Sequence, residues 1–250
     1  MWIIRVSPDG WRIADFEAGQ YTALGVPGAF PRHDGKEESD VAPSKLVIRP
    51  YSIASSPLEK SYLEFYMVLV DDGDLSPRLF PLAVGSRVWL GPRIAGTFVL
   101  SRVPQEAELV FIATGTGVAP FVGMLRTLVP GGLRRPVALI HGVRHADELG
   151  YRDELVAMEK QSPLFHYIPT VSRPAVRSPQ WKGHSGYVQQ IWQSGVVEAA
   201  FGHAPSPDRT HIFLCGSPDM IDENITMLED EGFSEHRAAA PGLLHVERYR

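Results

Sequence analysis

The second half of the chain is organised by one segment, LVFIATGTGVAP, which spans residues 109–120. Its first five residues, 109–113, are all apolar, which is typical of a strand that is buried on both faces of a parallel sheet. A turn containing Gly115 and Gly117 follows, and the amphipathic pattern after it predicts a helix over 118–128. A strand, a glycine turn and a helix in this order favour an α/β fold.

The same alternation continues from residue 103 to the C-terminus. Apolar runs predict further strands over 137–140, 165–171 and 212–215, and amphipathic patterns predict helices over 146–160 and 218–229. Strands that alternate with helices of this length predict a doubly wound parallel sheet.

Residues 1–102 have a different pattern, with short alternating segments separated by Gly and Pro. Strands are predicted over 3–6, 20–24, 45–52, 62–70 and 87–90. Several short strands with turn signals between them predict an antiparallel β-barrel or sandwich. Residues 27–44 are polar and rich in Pro and Gly, and we expect a long exposed loop there.

Composition narrows the possible functions. The chain has 250 residues, 44% hydrophobic and 21% charged, as in a soluble globular protein of one large or two ordinary domains. No apolar run reaches the roughly 20 residues of a membrane span and no secretory signal is visible, so a cytoplasmic enzyme is expected.

The single cysteine, Cys215, excludes an internal disulfide framework and a four-cysteine metal or iron–sulfur site within this chain. A one-electron partner must therefore be a separate molecule. The net charge of −5 argues against nucleic acid, and the nine histidines have no metal-ligand spacing, so no metal is expected.

The glycine turn at 114–120 lies where ligands bind in such sheets, outside the carboxyl ends of the strands. Glycines let the backbone approach a ligand, and a helix N-terminus favours phosphate. The segment is not GxGxxG, so an ordinary strand–helix turn is the alternative. Arg144, at the end of the next strand, favours a nucleotide with a 2′-phosphate. Arg173 follows a later strand; either arginine alone is more often a solvated surface residue, but two at successive strand ends make a better anion site.

The segment Cys215–Met220 closes a late strand and begins a helix, with Ser217 or Asp219 as the capping residue. A lone buried cysteine is usually a small core residue, but here it precedes Gly216 at the carboxyl end of a strand. No histidine pairing is visible, which argues against a nucleophilic thiolate.

In the first half, the run Arg49-Pro50-Tyr51-Ser52 places a cation, an aromatic ring and a hydroxyl on one strand. Strand alternation puts Arg49 and Tyr51 on the same face. A flat, phosphorylated ligand such as a flavin dinucleotide would use both side chains. An ordinary barrel strand whose arginine pairs with a surface carboxylate is the alternative, and these residues alone do not separate the two.

Five motifs in this order resemble one family, the ferredoxin/flavodoxin–NADP⁺ reductases of the bacterial type. They are Arg49–Ser52, Gly73–Leu79, Thr114–Pro120, His141–Arg144 and Cys215–Met220. The resemblance extends from about Phe16 to the C-terminus. It implies an FAD-binding antiparallel β-barrel over 1–102 and an NADP(H)-binding α/β domain over 103–250. It also implies hydride transfer between NADP(H) and FAD, and single-electron transfer between FAD and ferredoxin or flavodoxin.

The resemblance also implies roles for residues of this chain. Arg49 would hold the FAD pyrophosphate, Tyr51 would stack on the isoalloxazine and Ser52 would lie near flavin N5. The implied FAD set is Arg49, Pro50, Tyr51, Ser52, Tyr66, Val68, Gly73, Asp74, Leu75, Ser76, Thr116, Tyr249 and Arg250. The implied NADP set is Gly115, Thr116, Gly117, Val143, Arg144, Ser172, Arg173, Tyr187, Cys215, Gly216 and Asp219. The implied catalytic residues are Ser52, Cys215, Glu247 and Tyr249.

Some features depart from the family pattern. The chain begins about one barrel strand later than its relatives, and the loop at 27–44 is longer than expected. Tyr187 stands where many relatives have a third arginine for the 2′-phosphate, so an NADH-preferring flavin reductase is an alternative. The chain ends in Arg250, where similar proteins end in an aromatic residue after Tyr249.

An alternative function from a different class is that of a non-catalytic electron-relay or nucleotide-sensing module. We expect ferredoxin or flavodoxin to bind transiently through complementary charge, and the reductase itself to be a monomer.

Overall fold

The computed structural model describes residues 1–35 and 42–248, and the chain divides into two compact units, Met1–Val99 and Leu100–Arg250. The predicted boundary, after residue 102, lies in a short 3₁₀ turn, Leu100–Arg102, at the start of the second unit. No helix in the described part of the chain is both long and apolar enough to cross a membrane.

The first unit is built from two antiparallel sheets that enclose one core. Its strands are β1 (Trp2–Val6), β2 (Tyr21–Pro27), β3 (Leu46–Ser52), β4 (Leu63–Met67) and β5 (Trp89–Leu90). One sheet has the order β3-β2-β5 and the other pairs β1 with β4. Leu24 and Val26 of β2 and Phe65 of β4 belong to the same buried cluster, so the sheets share a core, as in a barrel.

Two strand ends differ from the prediction because of tertiary pairing. β2 continues past Leu24 through the turn-like residues to Pro27, since Val26 pairs with Val47 and is fully buried. β4 ends at Met67 rather than at Val70, because Val70 belongs to a turn in which its carbonyl accepts a hydrogen bond from the Gly73 N–H. A four-residue helix, α1 (Ser76–Leu79), follows that turn.

The expectation of an exposed loop over 27–44 holds only in part: residues 42–44 are exposed, but over 28–35 exposed residues alternate with partly buried ones. Phe30 packs against the core of the unit, and the His33 N–H donates to the carbonyl of Pro77 at 2.8 Å. The guanidinium of Arg32 is largely buried, with 8% of the side chain exposed. Residues 36–41 lie outside the described residues. Residues 28–35 therefore pack on the segment that contains α1.

The second unit contains a six-stranded parallel sheet with the order β11-β10-β6-β7-β8-β9. The strands are β6 (Glu108–Thr114), β7 (Val137–Val143), β8 (Phe165–Val171), β9 (His184–Ser185), β10 (Thr210–Gly216) and β11 (Leu244–Arg248). All seven residues of β7 and six of the seven in β6 are buried, as predicted from their continuous apolar runs.

The helices of this unit lie between the strands. They are α2 (Ala119–Leu128), α3 (Arg152–Gln161), α4 (Pro174–Arg177), α5 (Val188–Gln193), α6 (Val196–Phe201) and α7 (Pro218–Asp230). The predicted helix over 146–160 is interrupted: a 3₁₀ turn, Ala146–Glu148, precedes α3. Tyr151 has φ of 61° at the N-cap of α3, and its buried ring lies 5.2 Å from the Arg126 guanidinium. Packing of that ring offsets the cost of a left-handed backbone, so the helix starts late.

Two strands were not expected from the sequence. β9 has two residues, too few for a periodic pattern. β11 pairs in parallel with β10 and brings the C-terminal segment into the sheet. Its sequence, LHVER, mixes apolar and charged residues. Only the pairing with β10 identifies it as a strand.

Candidate functional site

In the first unit, the strand predicted to hold a flavin places Arg49 at the surface. Its Nη2 lies 2.9 Å from Asp74 Oδ2, and both side chains are about half exposed. The alternative to a flavin site was an ordinary strand whose arginine pairs with a surface carboxylate. Arg49 does pair with such a carboxylate, but it belongs to Asp74, a residue of the predicted pyrophosphate turn. The structure brings these two predicted residues together.

Tyr51 is half-buried, and its ring packs edge-on against Phe65 with the centroids 6.4 Å apart. Burial raises the pKa of Tyr51 to about 12, and nearby Arg49 opposes this rise. The phenol is therefore neutral at ordinary pH. Pro50 is exposed between the two, whereas Ser52 is buried at the end of β3.

Tyr66 and Val68 have different environments. Tyr66 is buried in β4 and its hydroxyl donates to Met1 Sδ at 2.9 Å. Val68 follows the end of β4 and is partly exposed. Nothing in these contacts requires a ligand, so their place in the FAD set rests on the resemblance.

The turn at Gly73–Ser76 is fixed by three side chains; the sequence prediction included Ser76 in the FAD set and missed Arg32 and Arg78. Arg32 donates from Nη1 to the Gly73 carbonyl at 3.0 Å and from Nη2 to the Asp71 carbonyl at 2.8 Å. Arg78 donates to the Asp74 carbonyl at 2.6 Å. Ser76 Oγ accepts from the Val70 N–H at 2.9 Å. No sequence pattern indicated the contacts of the two arginines. Arg32 lies about 40 residues from the carbonyls that it binds, and Arg78 lies on α1, a helix that was not predicted.

In the second unit, the glycine turn directly follows the central strand β6. Gly115–Val118 form a 3₁₀ turn before α2, and Pro120 lies in the first turn of that helix, as predicted. A Cβ atom added to Gly117 would lie 2.2 Å from the carbonyl oxygen of Cys215. The turn and the end of β10 are therefore in backbone contact, which a glycine alone permits.

The turn is supported from below by a buried histidine. His141 Nε2 lies 3.3 Å from the Gly115 carbonyl and its Nδ1 lies 3.2 Å from the Tyr167 hydroxyl. Because a carbonyl only accepts, Nε2 carries the proton and Nδ1 accepts from Tyr167. Complete burial lowers the pKa of His141 to about 4, and the bond to Gly115 opposes this. The sequence placed His141 at a strand end but did not indicate this role.

Cys215 and Glu247 are brought together by the pairing of β10 with β11, in which they are partners in register. The thiol of Cys215 donates to Glu247 Oε2 at 3.8 Å. Gly216 lies against Thr114, where an added Cβ would be 2.1 Å from Oγ1. Ser217 is the N-cap of α7, and Asp219 lies exposed in its first turn. Two predicted catalytic residues thus meet beside the glycine turn.

The two predicted phosphate-binding arginines lie at adjacent strand ends. β7 and β8 are neighbours, and the Arg173 N–H donates to the Arg144 carbonyl at 2.9 Å. Ser172 N–H donates to the carbonyl of Val143, also at 2.9 Å. The Arg144 guanidinium is exposed and pairs with Glu148 at 3.0 Å. Both cations are available to an anion, although that of Arg144 is partly compensated.

Tyr187 is the N-cap of α5, just after β9, and 57% of the residue is exposed. Its backbone N–H donates to the side chain of Gln190 at 2.8 Å. In the same unit, a cavity of about 560 Å³ has Arg152, Arg177, Lys182 and Trp181 in its lining, together with Asp147, the ion-pair partner of Arg177. Ligand pockets commonly have this volume. The sequence did not indicate this cavity, because its walls come from three separate segments.

Tyr249 and Arg250 lie outside the described residues. Among the described residues, no group of three or more His, Cys, Asp or Glu side chains is placed to hold a metal ion.

The chain is similar to known proteins over most of its length. Residues 111–224 match the family described as the oxidoreductase NAD-binding domain. A flavodoxin/ferredoxin–NADP reductase of Shigella flexneri is 33% identical over 209 residues, which cover 84% of this chain and 77% of the relative. The chain belongs to this reductase family. A ferredoxin–NADP reductase of Azotobacter vinelandii is 31% identical over 243 residues, 93% of this chain and 86% of the relative.

A solved structure supports the same conclusion for the reductase fold. The crystal structure of a ferredoxin NADP⁺ reductase from Neisseria gonorrhoeae, with bound FAD and NADP, matches with a TM-score of 0.78 and 28% identity. The match covers 98% of this chain and 91% of the other. The family read from five sequence motifs is confirmed. So is the predicted fold class of antiparallel barrel-like sheets followed by a parallel α/β sheet.

Proposed function

We propose that the chain is an FAD-dependent ferredoxin/flavodoxin–NADP⁺ reductase. It transfers hydride between NADP(H) and FAD, and single electrons between FAD and ferredoxin or flavodoxin. The observation that carries this proposal is the meeting of Cys215 and Glu247 beside the Gly115–Val118 turn, in a chain one third identical to such reductases. We assign FAD binding to residues 1–102 and NADP(H) binding to residues 103–250.

The first unit fits the pyrophosphate and ring of FAD. The guanidinium of Arg49 is half exposed and its present partner is another exposed side chain, Asp74. Exposed ion pairs of this kind are worth only about 0–1 kcal/mol, so a doubly charged pyrophosphate would displace the carboxylate. The neutral, partly buried ring of Tyr51 offers a flat face to an isoalloxazine. Ser52, buried at the strand end, would donate or accept one hydrogen bond near flavin N5.

The second unit fits a dinucleotide with a 2′-phosphate. The Gly115–Val118 turn lies at the carboxyl edge of the sheet, where nucleotides bind. The carbonyl of Gly115 faces His141, so the N–H of Thr116, on the same trans peptide, points the opposite way. Arg144 and Arg173 supply two cations at adjacent strand ends. Together these groups provide one amide and two charges for phosphates.

FAD, when bound, supplies the exchange between two-electron and one-electron chemistry. The protein's own residues position and shield the reacting groups. The Cys215 thiol and the Glu247 carboxylate hold each other at the end of β10, and we assign them to the nicotinamide. Because Gly117 and Gly216 carry no side chain, the glycine turn and the end of β10 lie in backbone contact, which brings Cys215 up to the turn. Tyr249 is assigned to the flavin as a cover that the nicotinamide displaces.

The test is anaerobic stopped-flow mixing of the FAD-loaded protein with NADPH, followed by addition of an electron carrier. We expect rapid bleaching of the oxidised flavin band, and cytochrome c reduction that requires added ferredoxin or flavodoxin. A protein that does not bind FAD, or whose bound flavin is not reduced by either nicotinamide, would contradict the proposal. Deletion of Tyr249 and Arg250 should strengthen nicotinamide binding.

An NADH-preferring flavin reductase is the second candidate. The resemblance puts Tyr187 where many relatives have a third arginine, and Glu148 compensates part of the charge of Arg144. NADPH and NADH should be compared in the same stopped-flow experiment. A larger second-order rate constant for NADH would favour this candidate over the first.

We further propose that the reductase works as a cytoplasmic monomer and that its carrier binds transiently through complementary charge. Electrostatic steering is screened by salt, so the rate of carrier reduction should fall as ionic strength rises. Light scattering coupled to gel filtration would establish the mass. A salt-independent rate would contradict the electrostatic encounter.

A further inference from the structure

The segment 71–76 includes the predicted pyrophosphate turn, and two arginines bind its backbone carbonyls. One arginine comes from residues 28–35 and the other from α1. Arg32, from the segment before the undescribed residues 36–41, donates to the carbonyls of Asp71 and Gly73. Arg78, from α1, donates to the Asp74 carbonyl and, through Nε, to the Gly28 carbonyl at 3.2 Å. Each arginine therefore ties residues 28–35 to the region 71–78.

Arg32 is itself fixed by a bidentate ion pair. Its Nε and Nη2 donate to the two carboxylate oxygens of Asp34 at 3.1 and 3.0 Å. Only 8% of the Arg32 side chain and 16% of Asp34 are exposed. A bidentate pair of this kind fixes the plane of the guanidinium as well as its position. Of the three remaining N–H groups, one on Nη2 is aimed at the Asp71 carbonyl and one on Nη1 at the Gly73 carbonyl.

Fixing those carbonyls also fixes amide N–H groups. In a planar trans peptide the C=O of one residue and the N–H of the next point in opposite directions. The Gly73 carbonyl faces Arg32, so the Asp74 N–H points away from Arg32. The Asp74 carbonyl faces Arg78, so the Leu75 N–H points away from Arg78. The two arginines thus orient two consecutive amides, and successive N–H groups that converge form an anion-binding concavity.

We propose that Arg32 is a positioning residue for the flavin pyrophosphate, which it serves through the backbone and not by direct contact. This inference rests on the proposed function, since it takes the ligand of the turn to be FAD. Arg32 holds the 71–74 peptides so that their amides face the phosphates before the cofactor arrives. Loss of Arg32 should therefore weaken FAD binding by freeing the turn, with no charge removed from the phosphates themselves.

The experiment titrates apoprotein with FAD and measures the dissociation constant from quenching of flavin fluorescence. Arg32→Met removes both carbonyl bonds, and Arg32→Lys keeps the charge but offers one nitrogen for two carbonyls. We expect the FAD dissociation constant to rise about tenfold in R32M and about threefold in R32K, corresponding to about 1.4 and 0.7 kcal/mol. The ³¹P resonances of bound FAD should shift in the Lys variant, because its amides are reoriented.

Arg135 provides a matched control in the second unit. Its guanidinium also donates to two backbone carbonyls, those of Pro104 at 2.6 Å and Ala107 at 3.2 Å, and 8% of the residue is exposed. Arg135→Met should lower thermal stability and leave the FAD dissociation constant and the ³¹P resonances unchanged. If R32M fails to fold, Asp34→Asn keeps the guanidinium but loosens it, and a severalfold rise is expected.

The outcomes distinguish a failure of the proposed function from a failure of the proposed role of Arg32. A wild-type apoprotein that does not bind FAD overturns the proposed function. Wild-type binding with equal affinity in R32M, R32K and D34N overturns only the role of Arg32. Equal weakening in R32M and R135M, without ³¹P shifts in R32K, also overturns it, since general destabilisation would then account for the loss.

Discussion

Gly117→Ala should disrupt the contact between the glycine turn and the end of β10. The added Cβ would lie 2.2 Å from the Cys215 carbonyl oxygen, 2.6 Å from its carbon and 2.8 Å from the Gly216 nitrogen. Cβ atoms essentially never approach another heavy atom within 3.0 Å, so the two backbones must separate by about 1 Å. All three atoms belong to the backbone of a central strand, which cannot rotate away as a side chain would.

The cost follows from that geometry. Overpacking a well-packed interior typically costs about 1–3 kcal/mol, and a clash with strand backbone lies at or above the upper end. For a chain of this size, about 3 kcal/mol lowers the midpoint of thermal unfolding by roughly 6–12 °C. Because the chain has two units, we expect the loss in the transition of the second unit alone.

Gly131→Ala is the matched control, since its Cβ would lie 3.5 Å from the Leu128 carbonyl, an ordinary contact. That variant should unfold within about 1 °C of wild type or slightly above it. Calorimetry and far-UV circular dichroism measure the midpoints, and fluorescence titration measures NADP⁺ affinity. A Gly117→Ala midpoint equal to that of Gly131→Ala, with unchanged NADP⁺ affinity, would refute the close approach and its role at the nucleotide edge.

Three further predictions concern charge. Arg144→Ala removes a charge-assisted contact worth about 1.5–3 kcal/mol, so KM for NADPH should rise about 10- to 100-fold and KM for NADH by less than about twofold. The control is Arg237→Ala, which removes another exposed, ion-paired arginine. Equal rises of KM for both substrates would contradict the 2′-phosphate role of Arg144. Asp74→Asn frees Arg49 and removes a negative charge from the flavin-phosphate turn, so the FAD dissociation constant should fall severalfold in a fluorescence titration; a rise would contradict the exchange of partners. The pKa of His141 is lowered from 6.5 to about 4 in the folded protein. The unfolded chain therefore binds the proton first as pH drops below 6.5, and the free energy of unfolding should fall by about 2 kcal/mol at pH 5. Urea unfolding at pH 7 and 5 measures this loss, and His141→Gln should reduce the difference between the two.

The nucleotide half was predictable because its signals are local. Long apolar runs in β6 and β7 cannot be placed at a surface, and the glycine turn after β6 has the same position in sequence and structure. The cap of α7 by Ser217 was likewise readable, since its Oγ accepts from the Met220 N–H three residues later. Such features depend on neighbours within a few residues, which is what sequence patterns record.

The features that sequence missed depend on distant partners. β11 is a strand because Leu244 and Glu247 find register partners in β10, and its own pattern is ambiguous. The break before α3 arises where Tyr151 packs under Arg126, which lies in α2. Arg32 was taken for a loop residue because its partners, the carbonyls of Asp71 and Gly73, lie about 40 positions away. Long-range contacts of this kind have no signature in one sequence.

The two proposed phosphate sites share a physical device, despite belonging to different folds. In the first unit, Arg32 and Arg78 hold backbone carbonyls and so direct the following amides away from themselves. In the second, neutral His141 holds the Gly115 carbonyl and directs the Thr116 amide. The lowered pKa keeps His141 neutral at physiological pH, so that Nε2 donates to the Gly115 carbonyl and Nδ1 accepts from the Tyr167 hydroxyl without a charge in the buried core. Amides directed in advance need no reorganisation when phosphate binds, which is how a neutral backbone competes with water for an anion.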